Sequence, residues 1–316
     1  MLLMKRRMMC MALLIAGVSL MWVSGCGPES EPETQASATQ LNVVCTTGMI
    51  ADMVSRIGGE QVHVVGLMGP GVDPHYYKAT QGDLKHLTQA STIFYNGLFL
   101  EGKMEDIFEK MARQKTVVAV SRAIDENRLR RPPEFKGHFD PHIWFNVDMW
   151  SAAIPAVERT LAESVPSAAA QFHERAVAYK AELDELHAWV TQQVAQVPES
   201  GRILVTAHDA FGYFGDAYGI EVLGLQGIST VAEYGVNDVR HLVDIIVDRK
   251  VKAIFVESSV PERSINAVRE GCEARGHDVV IGGTLYSDAM GEAGSGADTY
   301  TGMVRTNVST IVAALK

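Results

Sequence analysis

The sequence predicts an α/β protein of two lobes, each a mainly parallel sheet flanked by helices, joined by one long rigid helix. Three observations indicate this fold class. Short apolar segments alternate with amphipathic helical segments along most of the chain, which is typical of parallel sheets covered by helices. Near the middle, a single apolar stripe continues for about 30 residues. The length of 316 residues exceeds one average domain, so two lobes are expected.

The N-terminal segment is predicted to be a targeting signal. Three basic residues at 5–7 precede an apolar stretch at 8–23, which is short for a membrane span. The sequence Val-Ser-Gly-Cys then ends at Cys26 and resembles a bacterial lipobox, in which the cysteine is lipidated. We expect residues 1–25 to be a signal peptide and residues 26–40 to be a disordered tether lipidated at Cys26. The protein would then be exported and membrane-anchored; an ordinary secretory signal is the alternative.

The first lobe is predicted over residues 41–165. Its strands are short apolar or β-branched segments, at 41–46, 62–68, 92–95 and 117–120. Its helices have apolar residues at helical spacing, at 48–57, 81–89, 101–113 and 148–164, with an interruption near Pro155.

The interdomain helix is predicted over residues 166–197. Seven apolar residues recur there at spacings of three and four, namely Phe172, Ala176, Tyr179, Leu183, Leu186, Val190 and Val194. Pro166 and Pro198 mark its two ends. A helix of this length would span roughly 45 Å, which is more than one small domain. We therefore expect it to run along both lobes and join them.

The second lobe is predicted over residues 198–316. Its strands follow the same apolar pattern, at 203–207, 221–225, 253–256 and 278–281. Its helices are expected at 211–218, 236–249, 262–275 and 298–315. The pair Gly282-Gly283 and the loop to Gly296 are predicted to separate the last strand from the last helix.

The net charge argues against one class of partner, and the positions of the cysteines argue against a disulfide. The formal net charge is −10, so a nucleic-acid partner is not expected, because phosphate binding needs a basic surface. Of the four cysteines, Cys10 leaves with the signal and Cys26 is assigned to lipidation. Cys45 and Cys272 lie in different halves of the chain and are predicted to be buried free thiols.

Four residues are candidate metal ligands. His75 follows the strand at 62–68 in the sequence Gly-Pro-Gly-Val-Asp-Pro-His, and Asp-Pro-His recurs at His142. His208 and Asp288 also lie beyond predicted strands. Ligands of open α/β sheets bind at the carboxyl ends of the strands, so the four are expected to meet if the lobes face each other. Three imidazoles and a carboxylate can close a zinc site, although no local spacing motif joins them.

Neighbouring residues have simpler interpretations. We expect Asp73 and Asp140, each before a proline, to act mainly as turn formers, with support of the adjacent histidine as the alternative. Glu233 and Glu257 are assigned to the surface by default, with orientation of a ligand or pairing across the lobes as the alternative. His138 and the other histidines are expected to be solvated or hydrogen-bonded. The aromatic residues beside the candidates are expected to exclude water, namely Tyr76, Tyr77, Trp144 and Phe211.

Six motifs in order along residues 41–316 carry a resemblance to a known family. They are Gly-Val-Asp-Pro-His-Tyr-Tyr-Lys-Ala-Thr (71–80), Phe-Tyr-Asn-Gly-Leu-Phe-Leu-Glu (94–101), Asp-Pro-His-Ile-Trp (140–144), Thr-Ala-His-Asp-Ala-Phe (206–211), Phe-Val-Glu-Ser-Ser (255–259) and Tyr-Ser-Asp-Ala-Met-Gly (286–291). The chain resembles the zinc/manganese solute-binding lipoproteins of ABC transporters, in their TroA-like branch. This resemblance implies a metal held between the lobes by His75, His142, His208 and Asp288. It also implies delivery of that metal to a membrane permease driven by a cytoplasmic ATPase. We expect the protein to be a monomer and not an enzyme.

The metal and the rival functions remain open at this point. Imidazole suits Zn²⁺ and oxygen ligands suit Mn²⁺, so three histidines favour zinc. The family's dedicated zinc members often carry a His-rich acidic loop, which residues 121–140 lack, so Mn²⁺ is the alternative. A metal-dependent hydrolase would need an open coordination position and a nearby base, and no motif of that kind occurs. A surface adhesin lipoprotein without tight metal uptake is the third hypothesis.

Overall fold

The computed structural model describes residues 40–133, 135 and 137–316. The predicted signal peptide, Cys26 and nearly all of the tether lie outside these residues. The described residues belong to one compact unit, Ala38–Lys316, so the predicted lobe boundaries stay predictions. Within this part of the chain, no helix is both long enough and apolar enough to span a membrane.

The first half contains a four-stranded parallel sheet. Its strands are β1 (Leu41–Cys45), β2 (Val62–Gly66), β3 (Thr92–Tyr95) and β4 (Thr116–Ala119), in the order β2-β1-β3-β4. Its helices are α1 (Gly48–Gly58), α2 (Gln81–Gln89), α3 (Glu105–Met111), α4 (Val147–Ser151) and α5 (Ile154–Ser164). The central strands carry nearly continuous buried apolar residues, as expected when both faces of a parallel sheet are covered. Pro155 lies in the first turn of α5, where its missing N–H has no cost.

The long helix α6 (Ala169–Val194) follows a short 3-10 turn, Pro166–Ala168. Its 26 residues span roughly 39 Å at 1.5 Å per residue. All seven residues of the predicted apolar stripe are buried. The helix packs against α1, α4 and α5 from the first half. It also packs against two helices of the second half, α7 (Gly212–Tyr218) and α10 (Tyr300–Leu315). One helix therefore contributes to the core of both halves.

The second half is built from two parallel strand pairs. The strands are β5 (Ile203–His208), β6 (Glu221–Gln226), β7 (Ala253–Glu257) and β8 (Val280–Leu285). The strand β5 pairs with β6 and β7 pairs with β8, while β5 and β7 lie beside each other. The remaining helices are α8 (Val236–Arg249) and α9 (Arg263–Glu273). The predicted α/β fold, with parallel sheets flanked by helices and a long helix between the halves, is confirmed.

The glycine pair near the end of the chain was misassigned to a loop. Gly282 and Gly283 lie inside β8, at a register shift where Ile281 faces Ile254 but Gly283 faces Phe255. This is a β-bulge, which glycine favours because it tolerates the unusual backbone and the close packing. A Cβ on Gly282 would lie 2.7 Å from the Phe255 ring. The strand predicted at 278–281 is therefore shifted toward the C-terminus.

The helix predicted at 101–113 is also wrong at its start, because α3 begins at Glu105. The preceding residues form a turn in which Gly97, Leu98 and Phe99 all have positive φ. Glu101 stabilises that turn with its buried carboxylate.

Cys45 and Cys272 are buried free thiols, as predicted.

Candidate metal site

The structure brings the four predicted ligand residues together. His75 lies in the turn after β2, His142 precedes a 3-10 turn, His208 ends β5, and Asp288 follows β8. One potential ligand atom from each lies within 4.8 Å of all the others. The four residues are 0–3% exposed. Residues from both halves of the chain thus share one buried cluster.

The three imidazoles direct their Nε2 atoms toward one another and toward the carboxylate. The Nε2 atoms of His75 and His142 are 3.3 Å apart. Asp288 Oδ1 lies 3.4 Å from His142 Nε2, and Asp288 Oδ2 lies 3.3 Å from His208 Nε2. Asp288 Oδ2 is 4.0 Å from His75 Nε2. Donors at about 2.0–2.1 Å from a tetrahedral zinc ion would lie about 3.3 Å apart. Three of the four spacings match this value, and the His75–Asp288 spacing of 4.0 Å is longer.

Several of these buried atoms have no hydrogen-bond partner among the described residues. They are His208 Nε2 and both carboxylate oxygens of Asp288. A buried carboxylate has lost its water and is costly unless positive charge or hydrogen bonds replace that water. A cation at the centre of the cluster would satisfy all of these atoms at once.

The orientation of His142 is fixed by Asp140. Its Nδ1–H donates to Asp140 Oδ1 at 2.8 Å, and its backbone N–H donates to the same oxygen at 3.0 Å. A proton on Nδ1 leaves the Nε2 lone pair free to bind a cation. Asp140 is fully buried; its contact with the His142 backbone N–H forms the predicted turn, and its contact with the imidazole adds the support that was the alternative.

His208 is held beside Glu257, at the end of β7, by a backbone hydrogen bond and a close ion-pair contact. His208 Nδ1 lies 2.6 Å from Glu257 Oε2, and the His208 backbone N–H donates to Glu257 Oε1 at 2.9 Å. Glu257 is 3% exposed, so its default assignment to the surface was wrong, and its contacts with His208 fit the alternative that it orients a ligand. The signal that could have found it is a lone acid that ends the apolar run Ala253–Glu257, because burial of such a charge requires a partner.

The third histidine is held through its backbone. The N–H of His75 donates to Asp73 Oδ1 at 2.8 Å, which is an Asx-type turn contact. Gly71 has a φ of +69° and makes the preceding bend possible without strain. Asp73 therefore forms the predicted turn, and its second oxygen has a further contact described below.

The electrostatics of the cluster reflect burial and mutual contact. Burial disfavours the charge on Asp288, yet His208, His142 and His75 hold the pKa of its carboxyl well below the usual range. Burial lowers the pKa of His75 to about 3. Burial also lowers the pKa of His142, but Asp140 and Asp288 outweigh it and raise that pKa to about 9. The cluster combines a retained negative charge with imidazoles of unequal basicity.

The surroundings of the cluster differ partly from expectation. Trp144 and Phe211 are buried, and the Trp144 ring lies 5.3 Å from that of His142. Tyr76 is 54% exposed, so it does not exclude water as predicted. His138 stacks on Phe99 and lies outside the four-residue cluster.

Two further groups that sequence reasoning missed support the His142 segment. Glu101 accepts hydrogen bonds from Thr46 Oγ1 at 2.6 Å and from Asn96 N at 2.7 Å. Asn96 in turn donates to the Pro141 carbonyl at 3.0 Å. The motif at 94–101 therefore supports Pro141, the residue before His142, through the hydrogen bond from Asn96. In the sequence, this motif was marked only by its place among the six motifs of the family resemblance.

The other missed group is Arg130, whose Nε lies 3.5 Å from Asp140 Oδ2. Arg130 also donates to the Gly212 carbonyl at 3.2 Å and to Asp216 at 2.6 Å, which connects the loop before His142 to α7. A Cβ on Gly212 would lie 2.7 Å from Arg130 Nε and 3.0 Å from Asp140 Oδ2. The glycine is what permits this close approach.

Comparison with known proteins adds family evidence to this geometry. Residues 43–314 match the family model ZnuA, described as zinc-uptake complex component A, periplasmic. The manganese-binding lipoprotein MntA of Bacillus subtilis (strain 168) is 50% identical over 294 residues, which is 93% of this chain and 95% of MntA. The zinc-binding protein TroA of Treponema pallidum (strain Nichols) is 50% identical over 273 residues, which is 86% of this chain and 88% of TroA.

A solved structure agrees with the sequence matches. The periplasmic zinc-binding protein TroA from Treponema pallidum superposes with a TM-score of 0.85 at 49% identity, covering 87% of this chain and 99% of that one. Two relatives at equal identity are thus named for different metals, so the comparisons do not choose between zinc and manganese. The family match spans nearly all of the described residues, and the chain therefore belongs to the ZnuA family of periplasmic metal-binding components.

Proposed function

We propose that this protein captures a divalent transition metal, zinc in the first place, between His75, His142, His208 and Asp288. The observation that carries the proposal is the buried Asp288 carboxylate, which faces three imidazole nitrogens and has no hydrogen-bond partner among the described residues. Its neighbours supply three nitrogen donors, and imidazole favours zinc over manganese. The relative named for manganese makes Mn²⁺ the competing cargo.

The donor set favours metal binding over metal-dependent hydrolysis. Catalytic zinc sites keep one position open for water, whereas four converging protein donors fill a tetrahedral ion. The two carboxylates beside the histidines, Asp140 and Glu257, are engaged with imidazole Nδ1 atoms and are not placed as a free general base. We therefore infer a solute-binding protein and not an enzyme.

The place and partners of the protein are part of the same proposal. Relatives are named as metal-binding lipoproteins and as substrate-binding lipoproteins of metal ABC transporters. We propose that this chain is exported, anchored through a lipid on Cys26, and delivers its metal as a monomer to an ABC permease and its ATPase. A Cys26→Ser variant of the full chain should move from the membrane fraction to the soluble fraction.

The experiment that tests the central proposal is metal analysis followed by competitive titration of zinc and manganese. We expect one tightly bound ion per chain in the wild type and its loss in His208→Ala. Tight manganese with weak zinc would replace the proposed cargo but keep the binding function. A wild-type chain that binds neither ion would overturn the proposal and favour the adhesin hypothesis.

A further inference from the structure

Thr230 makes a contact that the four-ligand site does not require. Its hydroxyl donates to Asp73 Oδ2 at 2.6 Å, while Asp73 Oδ1 accepts the backbone N–H of His75 at 2.8 Å. Thr230 is 4% exposed. One carboxylate thus joins a threonine of the second half to the backbone of a metal-site histidine of the first half.

The loop that carries Thr230 is itself tied to a second metal-site histidine. Gln226, at the end of β6, pairs with His208 in the β5–β6 register. The Gln226 side-chain amide donates to the carbonyls of Thr230 at 2.9 Å and Ala232 at 2.8 Å, and so shapes the loop after β6. A continuous path of hydrogen bonds therefore runs from the His208 strand through Gln226 and Thr230 to Asp73 and His75, without passing through the metal.

The contacts between the halves are denser beside His142. Three buried hydrogen bonds cross there: Trp144 Nε1 to the Ser287 carbonyl at 3.0 Å, Tyr300 OH to the Trp144 carbonyl at 2.7 Å, and Tyr213 OH to the Asp140 carbonyl at 2.8 Å. Among the described residues of the segment 67–80, by contrast, the bond from Thr230 is the one hydrogen bond to the second half.

Free space lies on the His75 side as well. A cavity of about 420 Å³ opens beside His75, and most of its lining is apolar. It is lined by residues of both halves, including Phe99, Phe135, Ile228 and Val231. The His75 side therefore has fewer hydrogen bonds between the halves and lies beside a cavity.

From these contacts we propose that Thr230 is a positioning residue that latches the His75 turn over the bound metal and slows the metal's release. This inference rests on the proposed metal-binding function. Opening on the His75 side must break the Thr230–Asp73 hydrogen bond, which has a charged acceptor and is partly buried. Loss of such a bond should speed release about tenfold. The rate of capture should change little, because the open form lacks the bond in either protein.

The test is the rate of metal loss from the full-length chain in detergent, measured by stopped flow with excess chelator. Thr230→Val removes the hydroxyl with little change in shape, and Thr230→Ser keeps it. The matched control is Thr301→Val, because Thr301 Oγ1 also donates to a carboxylate, Glu182 Oε1 at 2.8 Å, and Glu182 pairs with Arg56 and not with the cluster. Melting of the metal-free proteins checks folding, and Thr230→Ala replaces the valine variant if that variant fails to fold.

We expect release about tenfold faster in Thr230→Val, an unchanged association rate, and wild-type release in Thr230→Ser and Thr301→Val. Equal release from Thr230→Val and the wild type would overturn the latch and leave the metal-binding function intact. Faster release in Thr301→Val as well would also overturn it, since the effect would then be one of general stability. A wild-type chain that binds no metal would overturn the proposed function, and the latch with it.

Discussion

Glu257 Oε2 lies 2.6 Å from His208 Nδ1, and both side chains are fully buried at the ends of adjacent strands. In the neutral imidazole that binds a cation, this contact favours the proton on Nδ1 and leaves the Nε2 lone pair for the cation. The negative charge of Glu257, together with that of Asp288, raises the pKa of His208 well above its usual value despite burial. Glu257 thereby controls both the direction and the basicity of one metal-site nitrogen.

Replacing Glu257 with glutamine should weaken metal binding by about 10–100-fold. The amide keeps the size and can still accept the His208 backbone N–H, but it removes the charge that increases the basicity of the imidazole. The measurement is competitive titration with a chelator of known affinity. Glu233→Gln is the control, because Glu233 is exposed, and it should bind metal like the wild type. Equal affinity in both variants would show that Glu257 does not tune the site.

Local patterns were sufficient to predict much of this structure. The stripe on α6 was predicted residue by residue, because a helix repeats its buried face at a fixed period. The rule that ligands bind at the carboxyl ends of parallel strands selected His75, His142, His208 and Asp288, but their convergence also required the two halves to face each other, which the spacing did not show.

Contacts between distant residues could not be predicted in this way. Glu257 is 49 residues from His208, and Thr230 is 157 residues from Asp73, and no periodicity relates either pair. The prediction for the Gly282-Gly283 pair was wrong for another reason. Two adjacent glycines suit a turn and a β-bulge equally, and packing against Phe255 decides between them.

A carboxylate in place of His208 should shift the metal preference. In His208→Glu an oxygen donor replaces an imidazole, which favours manganese relative to zinc. We expect the ratio of zinc to manganese affinity to fall by at least tenfold, measured by parallel titrations. His63→Glu is the matched control, since His63 is exposed on β2 and should leave the ratio unchanged. An unaltered ratio in His208→Glu would undo the argument that the imidazoles favour zinc.

Bound metal should stabilise the folded chain. The site takes residues from both halves, so the unfolded chain cannot reproduce it. At a thousandfold excess over Kd, binding adds about 4 kcal/mol by mass action, which corresponds to about 8 °C or more in melting temperature. Differential scanning calorimetry with and without zinc measures this shift. The His208→Ala chain should show a much smaller shift, and a wild-type melting temperature unaffected by zinc and manganese would contradict the site.

Gly212→Ala should disturb the site without touching a ligand. The added Cβ would meet the Arg130 guanidinium and Asp140 Oδ2, so Asp140 can no longer hold His142 in the same place. We expect metal affinity about tenfold lower, in line with the loss of other supporting carboxylates. Gly82→Ala, in the exposed first turn of α2, has an added Cβ only 3.5 Å from Thr80 Oγ1 and should bind normally. Normal affinity in Gly212→Ala would mean that Arg130 yields and Asp140 keeps its position.

Leu186 on α6 tests whether the long helix holds the core of both halves. The side chain is fully buried in the apolar cluster that includes residues from β1 to α10. Leu186→Ala should lower the free energy of unfolding by about 2–5 kcal/mol, because it removes apolar contact and leaves a cavity. Val177→Ala lies on the same helix at a position 56% exposed, and surface changes of this kind stay within about 0.5 kcal/mol. Urea unfolding followed separately by tryptophan fluorescence and far-UV circular dichroism measures both variants. A small effect at Leu186, or equal effects at the two positions, would show that the stripe is not the shared core that its burial indicates.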